Sequence, residues 1–184
     1  MIPSETQALE ILSERGANPV TIAHCKMVAN VAKTLADEFK ARGIHVDVEA
    51  IVAGALLHDV GRTKVQTVLH GYEGAEILVQ KGVDPKVVEI VRKHVGAGIT
   101  PEESRRLGLP EGDYVPRSLE EKIVCFADKI VGKDHLQPFE EEVRRFTKKG
   151  HDERRLVELK ESLQRALGAD PETLVLQRIK ERQR

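Results

Sequence analysis

The chain has 184 residues, 40% of them hydrophobic, which suits one sizeable domain with a buried core and excludes a disordered tail. Its 29 Lys+Arg and 30 Asp+Glu leave a formal net charge of −1; with no basic excess to drive counterion release, a protein built mainly to grip nucleic acid is not expected. The two cysteines, Cys25 and Cys125, form no Cys-x-x-Cys pair, the N-terminus lacks the basic start and apolar run of a signal peptide, and the longest apolar stretch, Ala50–Leu57, is far too short to span a bilayer, so a reducing, cytoplasmic setting without a membrane is expected.

Helix signals run the length of the chain. Ser4 with Gln7 reads as a capping box opening a helix that ends near Gly16. Asn18-Pro19 reads as the cap and first residue of a long helix that stops near Gly43. Asp47 caps the next, which carries Ile51, Val52, Ala55, Leu56 and His58 into a loop containing Gly61. Residues 71–80 are helical with Gly82 as the stop, and Asp84-Pro85 opens a helix running through Val87, Val88, Ile90 and Val91 to His94. Thr100 with Glu103 is a second capping box, and Ser118 with Glu121 a third, opening the helix that carries Asp128. Asp170-Pro171 opens the last helix. Apart from Ala50–Leu57, apolar residues recur at spacings of three and four, so the fold class is all-α. One helical domain is expected over residues 1–148, followed by a charged helical extension over 149–184 whose apolar stripe is Leu156, Leu159, Leu163 and Leu167. That stripe packs either on the domain or on a second subunit, the latter giving a homodimer.

The anomaly is a set of lone His and Asp residues on apolar helix faces. His24 interrupts the stripe Val20, Met27, Val28, Val31, Leu35. His58-Asp59 follows Leu56-Leu57, His94 is flanked by Val87, Val91 and Val95, and Asp128 follows Val124 and Ala127. A single His on such a face is more often a hydrogen-bonded core residue, and a buried Asp more often has an Arg or Lys partner. Four helices each presenting a nitrogen or oxygen ligand to one core are better explained together by a metal, and imidazole with carboxylate suits Fe, Mn, Co, Ni or Zn. His151-Asp152 is an internal control: it sits among Lys148, Lys149, Glu153, Arg154 and Arg155 and reads as solvated surface. His45 and His135 read the same way.

The order His24, His58-Asp59, Asp128 resembles the H…HD…D signature of the HD-domain superfamily of metal-dependent phosphohydrolases. His58-Asp59-Val60-Gly61-Arg62 is similar to the HDIG variant, as found in archaeal HDIG-domain proteins, and the stretch from His70 to Glu76, with His94 after it, resembles the part that supplies further histidines in two-metal members. The resemblance covers roughly residues 20–131. It implies a helical bundle in which His24, His58, Asp59 and Asp128 hold one divalent ion. His70 and His94, with Asp59 bridging, would hold a second or contact substrate. After His94 the chain reads Val95-Gly96-Ala97-Gly98, without the Gly-Tyr-Pro element of cyclic-di-GMP phosphodiesterases, which argues against that substrate.

The implied activity is hydrolysis of a phosphomonoester or phosphodiester in a phosphorylated, nucleotide-like small molecule by metal-activated water. Asp59 is placed in the reaction centre, and Arg62 and Lys64, just after the His-Asp pair, are candidates for gripping phosphate, with ordinary loop charge as the plain alternative. Lys129 is a further candidate for that role. Superfamily members such as myo-inositol oxygenase use a similar ligand order to hold two irons, so a di-iron oxygenase is the alternative. A regulatory module without turnover is the third reading, and its expected sign, a lost ligand, is not seen.

Overall fold

The computed structural model describes residues 1–133 and 135–182; the last two residues of the expected C-terminal extension lie outside that range. The described residues form ten α-helices and no strand. In chain order these are α1 (Glu5–Glu14), α2 (Pro19–Ala41), α3 (Val48–Leu57), α4 (His70–Gln80), α5 (Pro85–Lys93), α6 (Pro101–Leu107), α7 (Leu119–Lys129), α8 (Phe139–Lys148), α9 (Arg154–Leu167) and α10 (Pro171–Arg182), with a single 3-10 turn, Val60–Thr63, between α3 and α4. No described helix is long and apolar enough to cross a membrane.

The capping signals act as expected. Ser4, Thr100 and Ser118 each accept from the backbone N–H three residues on, while Gln7, Glu103 and Glu121 return the bond. Asn18 and Asp47 cap α2 and α3 through their side chains. Helix α3 is apolar on every side and every one of its residues from Ala50 to Leu57 is buried, as a helix without a polar face must be. It is central, packed by α1, α2, α5 and α7. Gly54 lets α5 come close: a Cβ there would lie 2.5 Å from Ile90 Cγ2.

Two differences from the sequence reading matter for the site. His58 and His94 are not inside helices but cap the C-termini of α3 and α5. Helix α8 is an element the sequence reading did not anticipate. It begins after Pro138, with Glu140, Glu141 and Glu142 in its first turn and Arg145 and Lys148 in its last, an arrangement that complements the helix dipole. The leucine stripe of α9 (Leu156, Leu159, Leu163, Leu167) is buried in the same core cluster as α2, α3 and α7, and α9 packs on α7.

Candidate metal centre

The chain folds so that three helix C-terminal ends meet. His58 follows α3, His94 follows α5, and Asp128 lies in the last turn of α7. Helix C-termini carry partial negative charge and unpaired carbonyls, so their convergence favours a cation. The two capping histidines use those carbonyls: His58 Nδ1 donates to Ala55 O and His94 Nδ1 to Val91 O, both at 2.7 Å. His70, the first residue of α4, donates from Nδ1 to Thr67 O at 2.7 Å. His24 Nδ1 meets Gly132 O, 3.0 Å away in the loop after α7.

A carbonyl only accepts, so each of these four rings commits an Nδ1 proton to its carbonyl and turns Nε2 toward the others. His70 Nε2 and His94 Nε2 lie 3.0 Å apart. His58 Nε2 is fully buried with no hydrogen-bond partner, and stands 3.6 Å from Asp59 Oδ2 and 3.5 Å from Asp128 Oδ1. Imidazole Nε2 atoms and carboxylates gathered this closely call for positive charge between them, and a divalent ion answers all of these contacts at once.

Asp59 is the common member. Its Oδ1 is 3.3 Å from His70 Nε2 and 3.7 Å from His94 Nε2, and it also accepts from Arg62 Nε at 2.7 Å. The ligand atoms therefore fall into two overlapping groups, His24–His58–Asp59 and Asp59–His70–His94, in each of which all atoms lie within 4.8 Å of one another. Asp128 joins the first side through His24 Nε2 at 3.0 Å. Its other oxygen accepts from buried Lys129 at 2.5 Å, and Lys129 also donates to His94 O at 3.3 Å.

The charges follow the geometry. Burial alone would keep His58 neutral, but the Asp59 carboxylate outweighs it and holds the ring well above the ordinary histidine value. Burial lowers His94 to about 4. Asp59 and Asp128 stay ionised although burial opposes it, the first through the neighbouring histidines and the second through Lys129 and His24. Burial pushes the Cys125 thiol up to about 11, which leaves it a poor nucleophile. It donates instead to the carbonyls of His94 and Gly96, at 3.5 and 3.4 Å.

The centre opens into a cavity of about 930 Å³ lined by His24, Asp59, Arg62, His70, His94, Asp128 and Lys129. Lys64 is not brought into it: the side chain is half exposed and pairs with Glu73 at 2.5 Å, away from the cavity lining. Arg62 is in the lining. His135 and His151 are exposed, as expected from their polar neighbours, yet both line the outer cavity with Lys133, Arg145, Phe146 and Lys149. The sequence reading missed this wall because its residues look like ordinary surface. The one available signal was the apolar spacing of Phe139, Val143 and Phe146, which marks α8.

The HD domain family matches residues 21–133 of this chain, well over half of it. The chain belongs to the HD-domain family. Among curated relatives, it is 43% identical over 171 residues to a tRNA (cytidine(56)-2'-O)-methyltransferase of Picrophilus torridus, a match covering 92% of this chain and 49% of that protein. A protein of the same name from Thermoplasma volcanium is 40% identical over 172 residues, again 92% of this chain and 49% of the relative. The HD chain thus spans about half the length of these two relatives. An uncharacterized protein of Methanocaldococcus jannaschii is 42% identical over 143 residues, 78% of this chain and 84% of that one. Among solved structures, the HD domain of Listeria monocytogenes phosphodiesterase PgpH shares the fold with TM-score 0.57 at 19% identity, covering 92% of this chain and 96% of the other. The same domain in complex with cyclic-di-AMP gives TM-score 0.58 at 17% identity, covering 91% and 94%.

Proposed function

We propose that this HD domain is a divalent-metal-dependent phosphohydrolase acting on a phosphomonoester or phosphodiester in a nucleotide-like small molecule. The observation that carries the reading is the set of four imidazole Nε2 atoms, each ring fixed by a carbonyl at Nδ1, converging on two carboxylates. His24, His58, Asp59 and Asp128 would hold one ion, and His70 and His94, with Asp59 shared, a second. The ligand set suits Fe, Mn, Co, Ni or Zn. Such ions polarise a phosphoryl oxygen and make water a competent nucleophile near neutral pH.

The chain's own groups do the rest. Arg62 fixes Asp59 and brings N–H donors to the cavity, where its fork geometry suits phosphate oxygens. Lys129 fixes Asp128, ties it to the end of α5, and adds a positive charge beside the same space. Two buried free thiols agree with a reducing, cytoplasmic setting.

The methyltransferase name of the two longer relatives points to a different reaction. We read methyl transfer as belonging to the half of those proteins that this chain does not span, because the ligand cluster described above supports hydrolysis. The test is a screen of nucleotides and sugar phosphates with Mn²⁺, Co²⁺, Ni²⁺, Fe²⁺ and Zn²⁺, reading released phosphate, with dioxygen uptake and tRNA methylation followed in parallel. Phosphate release abolished by His58→Ala supports the proposal. Strict dependence on Fe²⁺ and O₂, or methylation, with no phosphate release under any metal would overturn it.

A further inference from the structure

We propose that the cavity wall formed by Lys133, Arg145, Phe146 and Lys149 is a subsite for a second phosphate group of the substrate, so that the protein selects ligands carrying two or more phosphates. This rests on the phosphohydrolase reading and adds a substrate class to it.

The cavity, about 930 Å³, is at the upper end of what small-molecule sites measure, roughly 300–1,000 Å³. One phosphoryl group at the ligand cluster fills little of it. The cations nearest that cluster are already engaged, Arg62 with Asp59 and Lys129 with Asp128. The outer wall is different. Lys133 and Lys149 line the same space and carry no ion pair among the described residues. Arg145 is positioned by two bonds, to Glu142 at 2.9 Å and to Gln137 at 3.0 Å, with half of its side chain still exposed.

Glu141 and Glu142 also line this wall. Glu142 is bonded to Arg145, so among the described residues of this wall Glu141 is the one uncommitted carboxylate beside the two lysines. In the same lining, Phe146 packs on His151 with ring centroids 4.9 Å apart, offering a flat apolar surface to the organic part of a ligand that joins two phosphates. Arg145, Phe146 and Lys149 come from outside residues 21–133, the part that matches the family.

ADP and AMP are suitable probes, because they differ by one phosphate. Calorimetric binding is measured for the wild type, for Lys133→Ala/Lys149→Ala, and for Lys40→Ala/Lys180→Ala, which removes the same charge from exposed positions outside the cavity. The wild type is expected to bind ADP more tightly than AMP. The cavity variant should weaken ADP on the order of 10-fold, as loss of charge-assisted contacts implies, and AMP much less, while the control pair changes neither. Equal weakening of ADP and AMP, or no change in either, would overturn the subsite.

Phosphate release is read on the same samples. Charge-dependent ADP binding with no release under any metal would refute the hydrolase reading and leave the subsite standing. Release from both nucleotides, with their ratio unaltered in the cavity variant, would refute the subsite and leave the hydrolase.

Discussion

His70 Nε2 and His94 Nε2 approach to 3.0 Å with both Nδ1 protons committed to carbonyls, so this pair is where a second ion would be decided. If two ions bind, His70→Ala should lower the metal content from about two to about one per chain, as read by elemental analysis of the folded protein. Content unchanged would make His70 a substrate contact instead. His58 gives a pH dependence. Its pKa lies well above the usual value because of Asp59, although burial opposes this, so the metal-free ring is protonated at neutral pH. An incoming ion must displace that proton. Apparent metal affinity should therefore rise as pH rises through neutrality, and binding at pH 7 should release protons. Calorimetric titrations in two buffers of different ionisation enthalpy measure this; identical heats would mean that the ring was neutral beforehand.

At the scale of elements, the turn after Asp59 is set by contact with α4 rather than by unusual dihedrals. A Cβ at Gly61 would lie 1.9 Å from His70 O and 2.6 Å from Gly74 N, so the backbone of the 3-10 turn rests directly on the start of α4. Gly61→Ala must push α4 away and carry His70 with it. The expected result is a loss of at least ~1–3 kcal/mol, the range for overpacking, together with reduced metal content, checked by thermal melting and elemental analysis. Melting at the wild-type temperature would show that the turn yields without cost. The glycine was visible in the sequence beside His58-Asp59, but its reason was not, because the atoms that exclude a side chain belong to a different helix.

Across the whole molecule, the C-terminal helices complete a core whose ligands all come from residues 24–128. Leu163 is fully buried, so Leu163→Ala should cost about 2–5 kcal/mol, seen as a lower urea midpoint. A surface-like cost below ~0.5 kcal/mol would mean that α9 is not part of the cooperative unit. The stripe is used within the chain, so a homodimer would need another surface. Helix α9 also reaches the site's edge, where Arg155 donates to Gly98 O at 3.1 Å and pairs with Glu103, tying down the loop that follows His94.

The sequence alone determined the helical class, the caps and their positions, and six of the residues around the centre. All but His70, which only the family resemblance supplied, follow from local rules: hydrogen bonds three residues apart, apolar spacing, and polar groups standing where burial would penalise them. Only the tertiary structure decided which imidazole nitrogen faces inward, that Lys64 stays outside, and that Lys133, Arg145 and Lys149 line the same cavity as the ligands. Those outcomes depend on contacts between residues far apart in the chain, and an exposed lysine has the same local pattern whether it faces bulk water or the mouth of a site.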